Sequence, residues 1–146
     1  MKSPLLPDST YRSILCVVDF SDPSLQELKW AIPEAQRHRF HISVLHPYRL
    51  NQHRQKEHVV QSKKDMDRVA VSTFERLAEG LLKEHKVSFD FRSEVGFILD
   101  RIQEYASKNK VAMLVMGKKM VMDNADSLRE LIESINVPIV IVPGES

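Results

Sequence analysis

Two apolar runs of the sequence end in residues whose types suit ligand binding. Residues 14–18 are followed by Asp19, whose carboxylate can accept hydrogen bonds, and residues 112–116 are followed by Gly117. A glycine lets backbone N–H groups approach a bound anion closely, and the N-terminus of a following helix adds positive potential. In parallel α/β sheets, ligands bind beyond the carboxyl ends of the strands. Both positions are therefore candidate site residues.

The segment after Gly117 contains both lysines and carboxylates. Lys118 and Lys119 could hold an anion, although lysines in such a position are more often simply solvated. Asp123 and Asp126 lie near the predicted start of the last helix. A carboxylate there caps the helix, occupies the end that a phosphate would use, and repels a phosphate at close range. The segment therefore predicts weak binding of phosphates.

Apolar runs alternate with helical patterns along the chain, and this order predicts the elements that would position those residues. Strands are predicted at residues 14–18, 41–46, 87–91, 112–117 and 138–143. Helical spacing of apolar residues predicts a helix in each of the four segments between them. Alternation of this kind indicates a parallel sheet with helices on both faces. We predict one α/β domain over residues 1–146.

Several local patterns carry expectations of their own. Asp22 and Pro23 are expected to cap and begin the first helix. Pro47 is expected to end the second strand. Residues 49–61 are polar and basic without periodicity, so a long loop is expected there. Residues 87–91 alternate apolar with polar side chains, which predicts a strand with one face in water.

The composition excludes several classes of protein. With 21 basic and 20 acidic residues the chain lacks the basic excess of a nucleic-acid binder. No apolar run approaches the ~20 residues that span a bilayer, and residues 1–10 do not resemble a signal peptide. Cys16 is the single cysteine, and the histidines show no metal-ligand spacing. We therefore expect a cytoplasmic protein with no metal, no nucleic-acid partner and no membrane attachment.

Motifs that would identify an enzyme are absent. The sequence contains no nucleophile elbow, no Walker loop and no recognisable Ser–His–Asp signature. No catalytic residue is predicted from these patterns.

Four segments together resemble the universal stress protein family. Residues 14–24 are similar to its opening strand and VDFSxxS-type turn, and residues 43–46 to the end of its second strand. Residues 96–117 are similar to its stretch from a helix-opening glycine to D-L-I-V-M-G, and residues 136–143 to its closing P-V-L-V-V strand. The resemblance implies an open five-stranded parallel sheet of order 3-2-1-4-5, Rossmann-like and of the adenine nucleotide alpha hydrolase type. It also implies a cytoplasmic role in stress and, commonly, a homodimer.

The resemblance places a ligand site between strands one and four. In nucleotide-binding members the position of Asp19 contacts adenine and ribose, and the position of Gly117 begins a phosphate loop of the form G-x2-G-x9-G-[ST]. In those members the positions of Val17, Pro47 and Met116 line the base pocket. The ligand-binding residues implied in this way are Val17, Asp19, Pro47, Met116, Gly117 and Lys118.

This sequence departs from the family's phosphate loop. Met120 stands at the second glycine, and Ala125 and Asp126 stand where the final glycine and hydroxyl residue belong. Seven residues, 118–124, separate Gly117 from Ala125, whereas the motif has twelve, so the loop is shorter by 12 − 7 = 5 residues. Tight ATP binding is not expected. AMP, a nucleoside or another small ligand remains a candidate at the Asp19 end of the site.

The last strand predicts an interface with a second copy of the chain. In the implied order it lies at a sheet edge, yet Ile139, Val140, Ile141 and Val142 are apolar on both faces. An uncharged edge of this kind invites pairing with another strand. We predict a symmetric homodimer in which these residues pair antiparallel with their copy.

Two functions follow from these observations. The first is a noncatalytic stress-response regulatory or binding protein, which acts as a homodimer on a protein partner that the sequence does not identify. The alternative is an adenine-nucleotide (AMP or ATP) sensor or weak ATPase that uses Asp19, Gly117, Lys118 and Lys119. Asp19 has an equal claim to a structural role as a hydrogen-bond acceptor in its turn. A nucleotidyl transferase is disfavoured because the His-x-Gly-His type of motif is absent.

Overall fold

The computed structural model describes residues 11–50 and 56–144, without the side chains of residues 56–61. The expectations for residues 1–10 and 51–55 lie outside the described residues. The strands are β1 (Ser13–Val17), β2 (His41–Tyr48), β3 (Phe89–Val95), β4 (Val111–Gly117) and β5 (Ile139–Val142). The helices are α1 (Gln26–His38), α2 (Lys56–Phe74), α3 (Gly80–Glu84), α4 (Ile98–Lys108), α5 (Lys118–Asp123) and α6 (Ala125–Ser134). A π-helical turn, Glu75–Glu79, joins α2 to α3.

The strands form one parallel sheet in the order β3-β2-β1-β4-β5, which confirms the predicted fold. Every residue of β1 is buried because helices cover both faces of the central strands, and this explains its continuous apolar run. At the carboxyl ends of β1 and β4, Val17 lies opposite Met116. The chain reverses direction between these two strands, so a crevice for ligands is expected at this edge.

Two hydrophobic cores lie on opposite faces of the sheet, because side chains along a strand point alternately to either side. Helices α1 and α2 cover one face, over Ile14, Cys16, Val18, Val44, Phe89 and Phe91. Helices α4 and α6 cover the other face, over Leu15, Val17, Leu45, Leu114 and Met116. The face on which a residue lies therefore decides which pocket it can reach.

The start of the first helix differs from the prediction. α1 begins at Gln26, and the residue before it, Leu25, has a left-handed backbone with φ of 53°. Asp22 Oδ1 instead accepts hydrogen bonds from the Ser24 backbone N–H at 2.9 Å and from Ser24 Oγ at 2.5 Å. This local turn satisfies the carboxylate before the helix starts, so the prediction that Asp22 and Pro23 cap and begin α1 is wrong.

Two boundaries around β2 also differ from the sequence prediction. α2 begins at Lys56, so the predicted loop at residues 49–61 is wrong in its last part. β2 continues through Pro47 to Tyr48. Pairing with β1 ends at Leu45, so beyond this point β3 is the only strand of the described residues that pairs with β2. A proline, which lacks an N–H, is tolerated in a strand that is unpaired on one side.

The polar face of β3 is buried rather than exposed to water. Asp90 Oδ1 lies 2.6 Å from His41 Nε2 and accepts a hydrogen bond from Ser43 Oγ at 2.5 Å, and Asp90 Oδ2 accepts one from Arg92 Nε at 2.9 Å. The Tyr105 hydroxyl of α4 lies 2.6 Å from Ser43 Oγ and closes the cluster. Burial alone would raise the pKa of Asp90, but these hydrogen bonds lower it to about 2. The alternation that predicted a wet face therefore marks a satisfied, buried polar cluster.

Candidate functional site

The segment after Gly117 is a helix rather than the short loop that the sequence predicts. Helix α5 begins at Lys118, directly after β4. It packs Met120 into the core beneath α4 and α6, and Asn124 links it to α6 by donating a side-chain hydrogen bond to the Met120 carbonyl at 2.8 Å. The segment holds no further glycine. Its backbone therefore follows a helix where a polyphosphate-binding loop would need an extended path.

Glu27 occupies the space in front of Gly117. A Cβ atom placed on Gly117 would lie 3.6 Å from Glu27 Cδ and 3.8 Å from each carboxylate oxygen. Glu27 is only 9% exposed. Burial raises the pKa of Glu27, and the charges of Asp22 and Asp19 raise it further, against the opposing hydrogen bond from its own backbone N–H. The carboxylates of Asp22 and Asp19 therefore contribute a negative potential around Glu27.

The two lysines offset the negative charge of these carboxylates only in part. Lys119 Nζ lies 2.7 Å from Asp123 Oδ2, one turn further along α5. The hydrogen bond and charge of Asp123 raise the pKa of Lys119, and the charge of Asp19 adds a smaller part. Lys118 is exposed. One ammonium group is thus paired within its own helix, and the other lies in solvent.

The predicted base-pocket residues lie at one edge of the sheet and differ in burial. Val17 and Met116 are buried and belong to the core beneath α4 and α6. The cavity that Met116 lines measures about 10 Å³, roughly the space for one water. Pro47 is half-buried in β2, whereas Asp19 is exposed just beyond β1. The structure places these residues at one edge of the sheet, where Val17 lies opposite Met116.

A larger pocket lies on the opposite face, between α2 and the carboxyl ends of β1 and β2. Its volume is about 610 Å³, within the range of about 300–1,000 Å³ that holds small ligands. Six of its lining residues are Asp19, Phe20, His46, Arg49, Met66 and Val69. Of the predicted ligand-binding residues, only Asp19 is among those that line it.

His46 forms part of an aromatic ladder in this pocket. Its ring lies 5.3 Å from the ring of Phe20 and 5.8 Å from that of Tyr48, and its Nδ1 lies 3.2 Å from Ser93 Oγ. Burial lowers the pKa of His46, although the charge of Asp19 opposes this. The imidazole is therefore neutral at neutral pH. Sequence reasoning placed His46 only at a strand end; its even spacing from Ile42 and Val44 is the signal that puts it on the α2 face.

A hydrogen bond fixes the helix that forms the far wall of the pocket. The Tyr48 hydroxyl donates to Asp67 Oδ1 at 2.6 Å, and Lys63 Nζ donates to Asp67 Oδ2 at 2.9 Å. Burial would raise the pKa of Asp67, but the hydrogen bonds from Tyr48 and Lys63 lower it. This contact ties α2 to the end of β2 and sets the width of the pocket.

The described part of the chain shows neither a metal-ligand cluster nor a membrane-spanning helix. Within residues 11–50 and 56–144 no three His, Cys, Asp or Glu side chains are arranged to hold a metal ion. None of the helices described there has the length and apolar character needed to cross a membrane.

Comparison with known proteins gives a consistent picture. The chain matches the sequence model of the Universal stress protein family over residues 10–143. No curated protein matches it. The solved structure of hypothetical protein MJ0577 is similar with a TM-score of 0.75 and 19% identity, covering 93% of this chain and 98% of that one. UspA from Lactobacillus plantarum has a TM-score of 0.72 and 16% identity, with coverage of 90% and 97%. The universal stress protein from Archaeoglobus fulgidus in complex with dAMP has a TM-score of 0.59 and 20% identity, with coverage of 90% and 98%.

Proposed function

Because the chain belongs to the universal stress protein family, we propose that it is a noncatalytic regulatory or binding protein of the stress response, acting in the cytoplasm through contacts with other proteins and without tight binding of ATP. The observation that carries this proposal is the carboxylate of Glu27 packed against Gly117.

Electrostatics at Gly117 oppose a bound triphosphate. A phosphate held by the backbone there would lie near the Glu27 carboxylate, and two unit charges about 5 Å apart at an effective dielectric constant of about 20 repel by about 3 kcal/mol. Asp22 and Asp19 lie close enough to raise the pKa of Glu27, so they add to this repulsion. Lys119 is paired with Asp123 and compensates only in part.

A second candidate function is an adenine-nucleotide sensor or weak ATPase. It is favoured by the pocket of about 610 Å³ that Asp19 borders, and by the dAMP complex of the Archaeoglobus fulgidus protein, which has the same fold. For this function the ligand's phosphates would have to reach Gly117, Lys118 and Lys119 against the charge of Glu27. A monophosphate carries less charge than ATP, so AMP is the stronger candidate of the two.

The edge strand β5 supports a homodimer as the acting species. β5 pairs with β4 on one side, and no strand of the described residues pairs with its other side. Ile141 is 48% exposed, and Ile139 and Val140 are half-buried, while Val142 is packed into the core. An apolar strand with unpaired backbone groups is suited to antiparallel pairing with its own copy across a twofold axis.

Isothermal titration calorimetry with ATP, ADP and AMP tests the proposed function. The wild-type chain is expected to give no heat of ATP binding at micromolar concentrations. Micromolar affinity for ATP that disappears in Asp19→Ala but persists in Asp100→Ala, a control at an exposed carboxylate of α4, would replace the proposal with the nucleotide sensor.

A further inference from the structure

The amino edge of the sheet, at the opposite end of the strands from the predicted ligand site, bears a row of exposed basic side chains. One basic residue lies shortly before each of four strands: Lys110 before β4, Arg12 before β1, Arg39 before β2 and Lys86 before β3. Because these strands are neighbours in the order β3-β2-β1-β4 and run parallel, the four residues follow one another along one edge. We call this row the basic edge.

Backbone hydrogen bonds hold the central part of the basic edge together. The N–H of Ser13 donates to the Lys110 carbonyl at 2.8 Å, and the N–H of His41 donates to the Arg12 carbonyl at 3.0 Å. Neighbouring strands lie about 4.8 Å apart, so three steps between strands spread the row over roughly 15 Å. The four positive charges therefore form a short, ordered line.

Two members of the row occupy backbone positions that favour glycine. Arg39 has φ of 58° and Lys86 has φ of 56°, both in the left-handed region, just after the ends of α1 and α3. A glycine adopts this conformation at a helix end without strain, whereas a side chain with a Cβ costs stability there. Gln36 Nε2 of α1 donates to the His85 carbonyl at 3.1 Å and ties the two turns to each other. The two cations are thus held side by side at positions that the backbone alone would give to glycine.

Other basic residues at this end of the molecule serve the helices. Those in the last turns of α1, α3 and α4 each form an ion pair with a glutamate about one turn earlier: Arg37 with Glu34, Lys83 with Glu79, and Lys108 with Glu104. A positive charge in the last turn also stabilises the helix end. Their charges are accounted for by these roles.

The charges of the basic edge have no such role. Arg12, Arg39, Lys86 and Lys110 take part in no ion pair within residues 11–50 and 56–144. The exposed carboxylates of Glu84, at the end of α3, and Glu133, near the end of α6, lie at the same end of the molecule and reduce the excess to 4 − 2 = 2 positive charges. The edge is therefore an exposed surface of net positive charge.

We infer that the basic edge docks a short acidic segment of a partner protein. An extended chain advances about 3.3–3.6 Å per residue, so about five residues cover roughly 15 Å. A segment of that length rich in Asp and Glu matches the four cations, and each of the two arginines can hold a carboxylate by two parallel hydrogen bonds. Complementary charge of this kind fixes the register of a partner and speeds its association.

A nucleic acid fits this surface less well. The whole chain has a net charge of only +1, so phosphates that extend beyond the edge gain no further attraction. The inference names the chemistry of the protein partner in the proposed function and rests on that function. The two fail separately, because ATP is tested at the carboxyl ends of β1 and β4 and the acidic segment docks at the amino ends.

Fluorescence anisotropy with three labelled probes tests this assignment. The probes are an oligoglutamate of about eight residues, slightly longer than the edge, an oligoserine of the same length and a single-stranded oligothymidylate of similar charge. The wild-type protein is expected to bind the oligoglutamate most tightly, with an affinity that falls as salt is added. No binding of the oligoglutamate, or tighter binding of the oligothymidylate at the same ionic strength, would overturn the inference.

Matched double variants locate the binding. Arg39→Gly with Lys86→Gly removes two charges of the edge and relieves both left-handed positions, so this variant is expected to be at least as stable as wild type in thermal unfolding. An exposed charge pair is worth up to about fivefold in affinity, so its oligoglutamate binding is expected to weaken about tenfold. Lys29→Ala with Lys64→Ala removes two exposed charges from α1 and α2 and is expected to bind like wild type.

A charge-keeping exchange separates charge from fold. Arg39→Lys with Lys86→Arg is expected to retain the binding, since both positions stay positive. If the glycine variant binds the oligoglutamate as tightly as the Lys29→Ala, Lys64→Ala control, the peptide lies on the general surface and the basic edge is not its site.

Discussion

Replacing Glu27 with glutamine tests whether one buried carboxylate keeps phosphates away from Gly117. The substitution keeps the length of the side chain, and the amide oxygen can still accept the hydrogen bond from its own backbone N–H. It removes the negative charge whose atoms lie 3.6–3.8 Å from a Cβ position on Gly117. Any change in phosphate binding therefore reports on the charge.

The size of the effect follows from that geometry. At about 5 Å and an effective dielectric constant of about 20, one unit of charge repels another by about 3 kcal/mol, and each 1.4 kcal/mol or so is about tenfold in affinity. Solvent at the mouth of the crevice screens part of this repulsion. We expect Glu27→Gln to strengthen the binding of AMP about tenfold to 100-fold, and that of ATP at least as much.

Calorimetry at constant ionic strength measures this change. Wild type and Glu27→Gln are compared with Glu130→Gln, which removes an exposed carboxylate from α6. The control is expected to match the wild type. If Glu27→Gln is folded but binds AMP and ATP no better than the other two proteins, the charge of Glu27 does not keep phosphates away.

The same variant gives a second, independent readout in its stability. The folded-state pKa of Glu27 is raised, so the folded protein holds this proton more tightly than the unfolded chain does. The group therefore costs stability at neutral pH, and that cost disappears as the pH falls through the raised pKa. Glu27→Gln is expected to be more stable than wild type near about pH 7 and to gain less on acidification. Urea unfolding at two pH values measures this, and identical pH dependence of the two proteins would refute it.

Three further changes test other parts of the structure. Asp90→Asn is expected to lower the free energy of unfolding in urea by about 3 kcal/mol, because it removes the buried carboxylate charge that accepts hydrogen bonds from its partners. In the wild type the folded-state pKa of Asp90 is lowered to about 2. The stability that Asp90 contributes is therefore lost as the pH falls from about 4 to about 2. An unchanged midpoint would mean that the buried cluster contributes nothing. Ile141→Lys is expected to convert the proposed dimer to a monomer in light scattering, while Val71→Lys keeps the dimer mass; a wild-type monomer at micromolar concentration would exclude the β5 interface. Tyr48→Phe loses the hydrogen bond to Asp67. It is expected to lower the free energy of unfolding by about 1 kcal/mol and to speed amide hydrogen exchange in α2. Exchange as slow as in wild type would show that this contact does not hold the helix.

The strands and their parallel sheet could be predicted because the apolar runs of β1, β4 and β5 are local features of the sequence, whereas the strand order was implied by the resemblance to the universal stress protein family. The helical conformation of α5 could not be predicted from the sequence. The spacing between Gly117 and Ala125 showed a shortened loop, but its conformation depends on Met120 filling a core built from α4 and α6. Sequence reasoning also predicted a wet face for Asp90, since its partners His41 and Ser43 are almost fifty residues away in the chain.

The decisive residue of the crevice was missed for a similar reason. Glu27 looks like an ordinary acidic residue in the first turn of a helix, a position that favours carboxylates. Only the pairing of β1 with β4 brings Gly117 beside it. The pocket beneath α2 likewise combines Phe20 and His46 with a helix that follows much later in the sequence. Contacts between distant segments therefore define both sites, whereas local periodicity defines the fold.

Native mass spectrometry of the protein purified from expressing cells, where ATP is abundant, tests the central claim most directly. We predict a species with the mass of two chains and without ATP. A species that retains one ATP per chain through purification would contradict the proposal that Glu27 and α5 close the phosphate site.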